Sequence, residues 1–149
     1  MPRSGASPAQ AESCQPGKSL VLIVDDDVDA RAMFVLVLEM AGHTVRTAND
    51  GEDALVVAEA FGPDVIFMDI EMPKVNGYIA CQNLRKSLSL HKTRIYAVSA
   101  VTGVAHERRC DEVGFDGQVS KPADPKCFDR LIRHDDKSPD VLTSADTPH

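Results

Sequence analysis

Val21-Leu22-Ile23-Val24-Asp25-Asp26-Asp27 is a short apolar run that stops abruptly in three carboxylates. Val65-Ile66-Phe67-Met68 ends the same way in Asp69, and Gly117-Gln118-Val119-Ser120 is followed by Lys121. If these runs are neighbouring parallel strands, their polar ends meet at one edge of a sheet. Carboxylates crowded there repel one another unless a cation lies among them, which points to metal-assisted chemistry on a carboxylate.

The same alternation extends through the chain. Apolar runs of strand length at Ser19 to Val24, His43 to Ala48, Asp64 to Met68, Thr93 to Val98 and Phe115 to Val119 are separated by segments of helical length. That is the signature of βα units around a five-stranded parallel sheet, a doubly wound α/β fold. Helices cover both faces of such a sheet, so its inner strands are continuously apolar, as 21 to 24 and 65 to 68 are.

The helices carry their own punctuation. The first is expected from Val28 to Ala41, stopped by Gly42. The second is capped by Asn49 or Asp50 and runs to Ala60, before Gly62-Pro63. The third starts near Gly77, beyond a loop containing Pro73; the fourth covers Val101 to Val113 with Gly114 as its stop; a short fifth follows Pro125. On the first helix Ala30, Met33, Phe34, Val37, Leu38 and Ala41 form one stripe for packing on the sheet, while Val35 and Leu36 point away. Those two are either ordinary exposed apolar residues or a docking surface beside the acidic site.

With 149 residues and 43% hydrophobic content, the chain suits one domain with a proper core. A net charge of -7, from Lys+Arg 16 against Asp+Glu 23, argues against a nucleic-acid partner. The cysteines Cys14, Cys81, Cys110 and Cys127 form no CxxC pair, so free thiols in a reducing cytosol are expected rather than a zinc site or a disulfide framework. No apolar stretch approaches the roughly 18 residues of a membrane span, and Met1 to Lys18 lacks the apolar centre of a signal peptide, so a soluble, cytoplasmic protein is expected. Residues 1–18 and 134–149 are polar and aperiodic, reading as a disordered arm and tail around a domain at 19–133, with no output domain.

Three Asp residues after a strand also have a plain explanation, because Asp caps the following helix. Capping needs one carboxylate, and Asp27 suffices. Asp25 and Asp26 are then left to hold a hard divalent cation, most plausibly Mg²⁺. Asp69 is either a further metal ligand or a nucleophile that accepts a phosphoryl group. For the second role, Lys121 supplies a positive charge, and Ser99, after Ile95-Tyr96-Ala97-Val98, a hydroxyl donor.

Over about residues 19 to 133 the chain resembles the receiver domain of two-component response regulators. The resemblance rests on Val21 to Asp27, on Asp64-Val65-Ile66-Phe67-Met68-Asp69-Ile70-Glu71-Met72-Pro73, on Asn76-Gly77, on Val98-Ser99-Ala100 and on Ser120-Lys121-Pro122. The ordered set, with its spacings, is specific where any one motif is weak. It implies a flavodoxin-like sheet in the order 2-1-3-4-5. It implies Asp69 as phosphoacceptor, and Asp25, Asp26 and the Glu71 backbone carbonyl as further Mg²⁺ ligands. Ser99 and Lys121 would be the phosphoryl-sensing hydroxyl and the ion-pairing amine, and the Lys121-Pro122 peptide would be cis. The implied donor is a phosphohistidine on a histidine kinase or histidine phosphotransfer protein, and the implied output is contact with a downstream protein target by a monomer or weak dimer. Such a protein assists its own phosphorylation and dephosphorylation without being an enzyme in the usual sense.

One departure concerns the switch. Family members often carry Tyr or Phe three residues before the lysine, where this chain has Gln118. An aromatic rotamer switch is therefore excluded at that position. Glu71 and Val101 occupy positions that influence dephosphorylation in the family, and the apolar Val101 cannot orient an attacking water, so a long-lived phosphoryl group is expected. Two other readings compete. A haloacid-dehalogenase-type phosphatase would use Asp25 as nucleophile, and a pseudo-receiver would keep the fold without being phosphorylated.

Overall fold

A computed structural model describes residues 18–72 and 76–133 of the chain. The expected arm at 1–18, apart from Lys18, and the expected tail at 134–149 lie outside the described residues, as do Cys14 and Pro73. Five parallel strands, β1 (Leu20–Val24), β2 (Thr44–Ala48), β3 (Val65–Asp69), β4 (Arg94–Ser99) and β5 (Gly117–Ser120), form one sheet in the order β2-β1-β3-β4-β5. The intervening helices are α1 (Val28–Met40), α2 (Gly51–Phe61), α3 (Gly77–Arg85), α4 (Val104–Val113) and α5 (Pro125–Arg133).

The apolar runs divide between the two faces of the sheet because successive side chains in a strand point to opposite sides. Val21 and Ile23 of β1, Val65 and Phe67 of β3, and Tyr96 and Val98 of β4 face α1 and α5. Leu22 and Val24, Ile66 and Met68, and Ile95 and Ala97 face α2, α3 and α4. The register pairs Leu22 with Ile66 and Ile66 with Ile95, so each layer is continuous across the three central strands. On the first face Phe67 stacks on Phe128 of α5 at 4.0 Å between ring centroids, and Phe128 stacks on Phe34 of α1 at 4.6 Å. These rings hold both helices against the strand that ends in Asp69.

Several boundaries differ from expectation for local reasons. Asp50, not Asn49, caps α2 by accepting the Asp53 N–H. Asp27 caps α1 as expected, accepting from the Asp29 and Ala30 N–H groups. β5 begins at Gly117 rather than Phe115 because the Phe115 N–H is donated to Cys110 O in the turn after α4. Residues 101–103, expected in α4, form a loop: Gly103 has φ +116°, and the Val101 N–H is donated to Ser99 Oγ. The stripe on α1 is rotated from its expected position. Phe34 and Leu38 are its buried centre; Met33 is 47% exposed, while Val35 is half-buried against the core. Met33 and Val35 lie about 100° to either side of Phe34, so a modest rotation exchanges their environments. Leu36 alone of the expected pair stands clear of the core, 60% exposed.

At the opposite end of the sheet, His43 is buried just before β2; its Nδ1 accepts the Ser19 N–H at 3.1 Å and its Nε2 donates to Asp129 Oδ1 at 2.7 Å. Arg133 Nε donates to both Asp129 oxygens at 3.0 Å. Partial burial alone would raise the Asp129 carboxyl, but His43 and Arg133 outweigh it and hold it below its ordinary value. A depressed carboxyl stabilises the fold above its unfolded-state pKa and loses that contribution as pH falls through its folded-state pKa. Asp129→Asn should therefore cost about 1–2 kcal/mol near neutral pH, with the gap to the wild type closing in acid when denaturation is followed against pH.

Candidate functional site

The carboxyl ends of the strands bring the polar residues together. Asp25 follows β1 and is held there by its N–H to Ala48 O, while Arg31 Nη1 grips its carbonyl at 2.7 Å. Asp69 is the last residue of β3 and Ser99 the last of β4, one register step apart in the sheet, since Asp69 pairs with Val98. Lys121 follows β5, its N–H donated to Ser99 O. The Lys121-Pro122 peptide is cis, as expected.

Asp25, Asp26 and Asp69 each place a carboxylate oxygen within 4.8 Å of the others. Asp25 and Asp69 are buried and Asp26 exposed, so the cluster lies at the floor of an open cleft of about 500 Å³, which Met33, Glu71 and Lys121 also line. Lys121 Nζ donates to Asp69 Oδ1 at 2.8 Å, and Asp69 Oδ1 also accepts the Glu71 N–H at 3.1 Å. Burial, reinforced by the charge of Asp25, pushes the Asp69 carboxyl up to about 6 despite the lysine. Burial also raises Asp25, with Asp26 and Asp27 adding like-charge repulsion. A cluster destabilised as anions in this way, with one member open to solvent, fits a hard divalent cation of the Mg²⁺ type.

The response regulator receiver domain model matches residues 21–133. The chain belongs to that family. The receiver is 37% identical over 116 residues to a probable transcriptional regulator ycf27 of Cyanophora paradoxa, covering 78% of this chain and 47% of that protein. It is 40% identical over 116 residues to a protein of the same description from Guillardia theta, covering 78% and 44%. The chain thus spans about half the length of these curated relatives. Among solved structures it is similar to the chemotaxis protein CheY4 of Vibrio cholerae, with TM-score 0.74 and 30% identity over 78% of this chain and 97% of that one. It is also similar to a BeF3-activated DrrB receiver domain, with TM-score 0.67 and 25% identity over 78% and 95%.

The candidate site residues all lie among the described residues, though not all of them reach the cleft. Gln118 lies on β5 paired with Ala97 and is half-buried; Val101 is 49% exposed at the start of the β4–α4 loop. Leu36 is exposed on α1, and Val35 packs inward. Sequence reasoning assigned Glu71 a metal-binding carbonyl and a position that influences dephosphorylation in the family, but not the contacts of its side chain, which has three partners at the site. Glu71 Oε2 accepts the Ser99 hydroxyl at 2.7 Å, and Oε1 accepts the Ala100 N–H and lies 3.3 Å from Lys121 Nζ. Partial burial would raise the Glu71 carboxyl, but these donors outweigh it and lower it. Its position two residues after Asp69 was a hint of proximity, yet nothing in a loop sequence gives the direction of a side chain. Arg31 and Met33 also reached the site unforeseen.

Gly77 admits the close approach of α3 to this edge. A Cβ there would lie 2.7 Å from both the Asp69 carbonyl oxygen and Ile70 Cα, backbone atoms that cannot swing aside. Gly77→Ala should destabilise the protein by about 1–3 kcal/mol, measured as a lowered denaturant midpoint at unchanged slope.

Proposed function

We propose that the chain is a phosphoacceptor of two-component or phosphorelay signalling, taking a phosphoryl group on Asp69 from a phosphohistidine of a histidine kinase or histidine phosphotransfer protein. The observation that carries this reading is the buried Asp69 carboxylate paired at 2.8 Å with Lys121 beside two further carboxylates. An Asp69 oxygen attacks the phosphorus in line; the new O–P bond forms as the P–N bond breaks, and the electron pair leaves with the donor's imidazole. Lys121 steadies the charge on the transferring oxygens, and the Ser99 hydroxyl is drawn to the new phosphoryl group. Asp25, Asp26, Asp69 and the Glu71 carbonyl would hold Mg²⁺, which when bound supplies charge neutralisation at the phosphoryl oxygens.

Exposed Met33 and Leu36, on the α1 face beside the cleft, give the donor protein an apolar surface to rest on. Output to a downstream protein runs through the β4–α4 loop around Val101, because Ser99 accepts that residue's N–H. Gln118 replaces the aromatic switch and leaves the loop as the responding element.

Incubation with a small phosphodonor and Mg²⁺ tests the reading by intact mass. Gain of one phosphoryl group, removed by hydroxylamine as expected of an acyl phosphate, supports it. Steady hydrolysis of phosphomonoesters with no retained group would favour the phosphatase, and no gain at all the pseudo-receiver.

A further inference from the structure

The donors that a phosphoryl group on Asp69 would need are already engaged. Ser99 has a single O–H, and it points to Glu71 Oε2 at 2.7 Å. The Ala100 N–H is donated to Glu71 Oε1, and Lys121 divides its ammonium between Asp69 at 2.8 Å and Glu71 at 3.3 Å. One carboxylate thus collects a hydroxyl, a backbone amide and an ammonium, the donor set of a phosphoryl oxyanion. Ser99 Oγ in turn accepts the Val101 N–H at 2.9 Å, so the same contact fixes the start of the loop leading to α4.

We infer that the Glu71 side chain is an internal competitor of the phosphoryl group, a latch that holds Ser99 and the β4–α4 loop in the resting arrangement and is displaced when Asp69 is phosphorylated. The inference rests on the phosphoacceptor reading above. Its physical core is that one O–H cannot serve two anions, so the phosphoryl group gains Ser99 only as Glu71 loses it. Glu71 is 39% exposed in its side chain, so water compensates it on release. The latch is consequently modest in strength and reversible, and it shifts a two-state equilibrium rather than blocking it.

The test is a double-mutant cycle read by binding of beryllofluoride, a phosphoryl mimic, in the presence of Mg²⁺. Glu71→Ala leaves the backbone carbonyl in place and should tighten binding about tenfold, the worth of one partly exposed charge-assisted hydrogen bond. In a Ser99→Ala background the same change should gain less than about threefold, because the contested hydroxyl is gone. Equal gains in both backgrounds would reduce Glu71 to a general electrostatic effect and overturn the latch; so would weaker binding by Glu71→Ala. A second readout adds neither metal nor mimic to the variant and uses them only for the wild-type reference. The amide resonances of Ala100 and Val101 in metal-free Glu71→Ala should move toward their positions in beryllofluoride-bound wild type, and resonances that stay in place would contradict the latch. If wild type itself fails to bind beryllofluoride, the phosphoacceptor reading fails and the latch with it; binding by wild type with a Ser99-independent gain removes the latch alone.

Discussion

Asp69→Asn is expected to abolish phosphoryl gain from small phosphodonors and from phosphohistidine donors, with a loss of at least about 10³–10⁴-fold. The amide keeps the shape and can still accept the Glu71 N–H, so the β3 terminus should persist. It has no anionic oxygen to form the acyl phosphate, and it leaves Lys121 facing a neutral acceptor in place of its nearest counter-charge. The variant also removes one charge from a buried, mutually repelling cluster, since burial and Asp25 both work against the Asp69 anion. Its stability without metal should therefore stay within about 1 kcal/mol of wild type. Loss of phosphorylation together with retained cooperative unfolding isolates the chemistry from the fold.

Paired replacement Asp25→Asn and Asp26→Asn is expected to have the next largest effect, weakening Mg²⁺ by about 100-fold or more in calorimetric titration. Its sign on stability should differ with and without the ion. In metal-free buffer the pair is a liability, because Asp25 is buried and presses against Asp26 and Asp27; the double amide should melt at or above the wild-type temperature. When Mg²⁺ is added, only wild type should gain stability, by mass action on the folded state. A variant that melts lower than wild type in metal-free buffer would show that these carboxylates support the fold rather than await a cation.

The positions of Asp25, Asp69, Ser99 and Lys121 at one edge were legible because each ends or follows an apolar run, and parallel strands deliver their carboxyl ends to the same side. The caps were legible for a similar reason: Asp27, Asp50 and Gly114 act through their own local backbone. What escaped depends on contacts between elements. The rotation of α1 that exposes Met33 and covers Val35 is set by how Phe34 meets Phe128, a partner almost a hundred residues along the chain. The late start of α4 follows from Ser99 taking the Val101 N–H, which helical periodicity does not register. Glu71 was legible as a loop residue with a useful carbonyl and an influence on dephosphorylation, and only the fold brought its carboxylate to Ser99, Ala100 and Lys121. These are tertiary choices between locally equivalent options.

The central claim is that the covalent chemistry occurs on Asp69. Borohydride reduction of the phosphorylated protein converts an aspartyl phosphate to homoserine, which peptide mapping by mass spectrometry then locates in the sequence. Homoserine at position 69, absent when phosphodonor or Mg²⁺ is left out, is the predicted result. Homoserine at position 25, or stable phosphorylation elsewhere with position 69 unchanged, would contradict it.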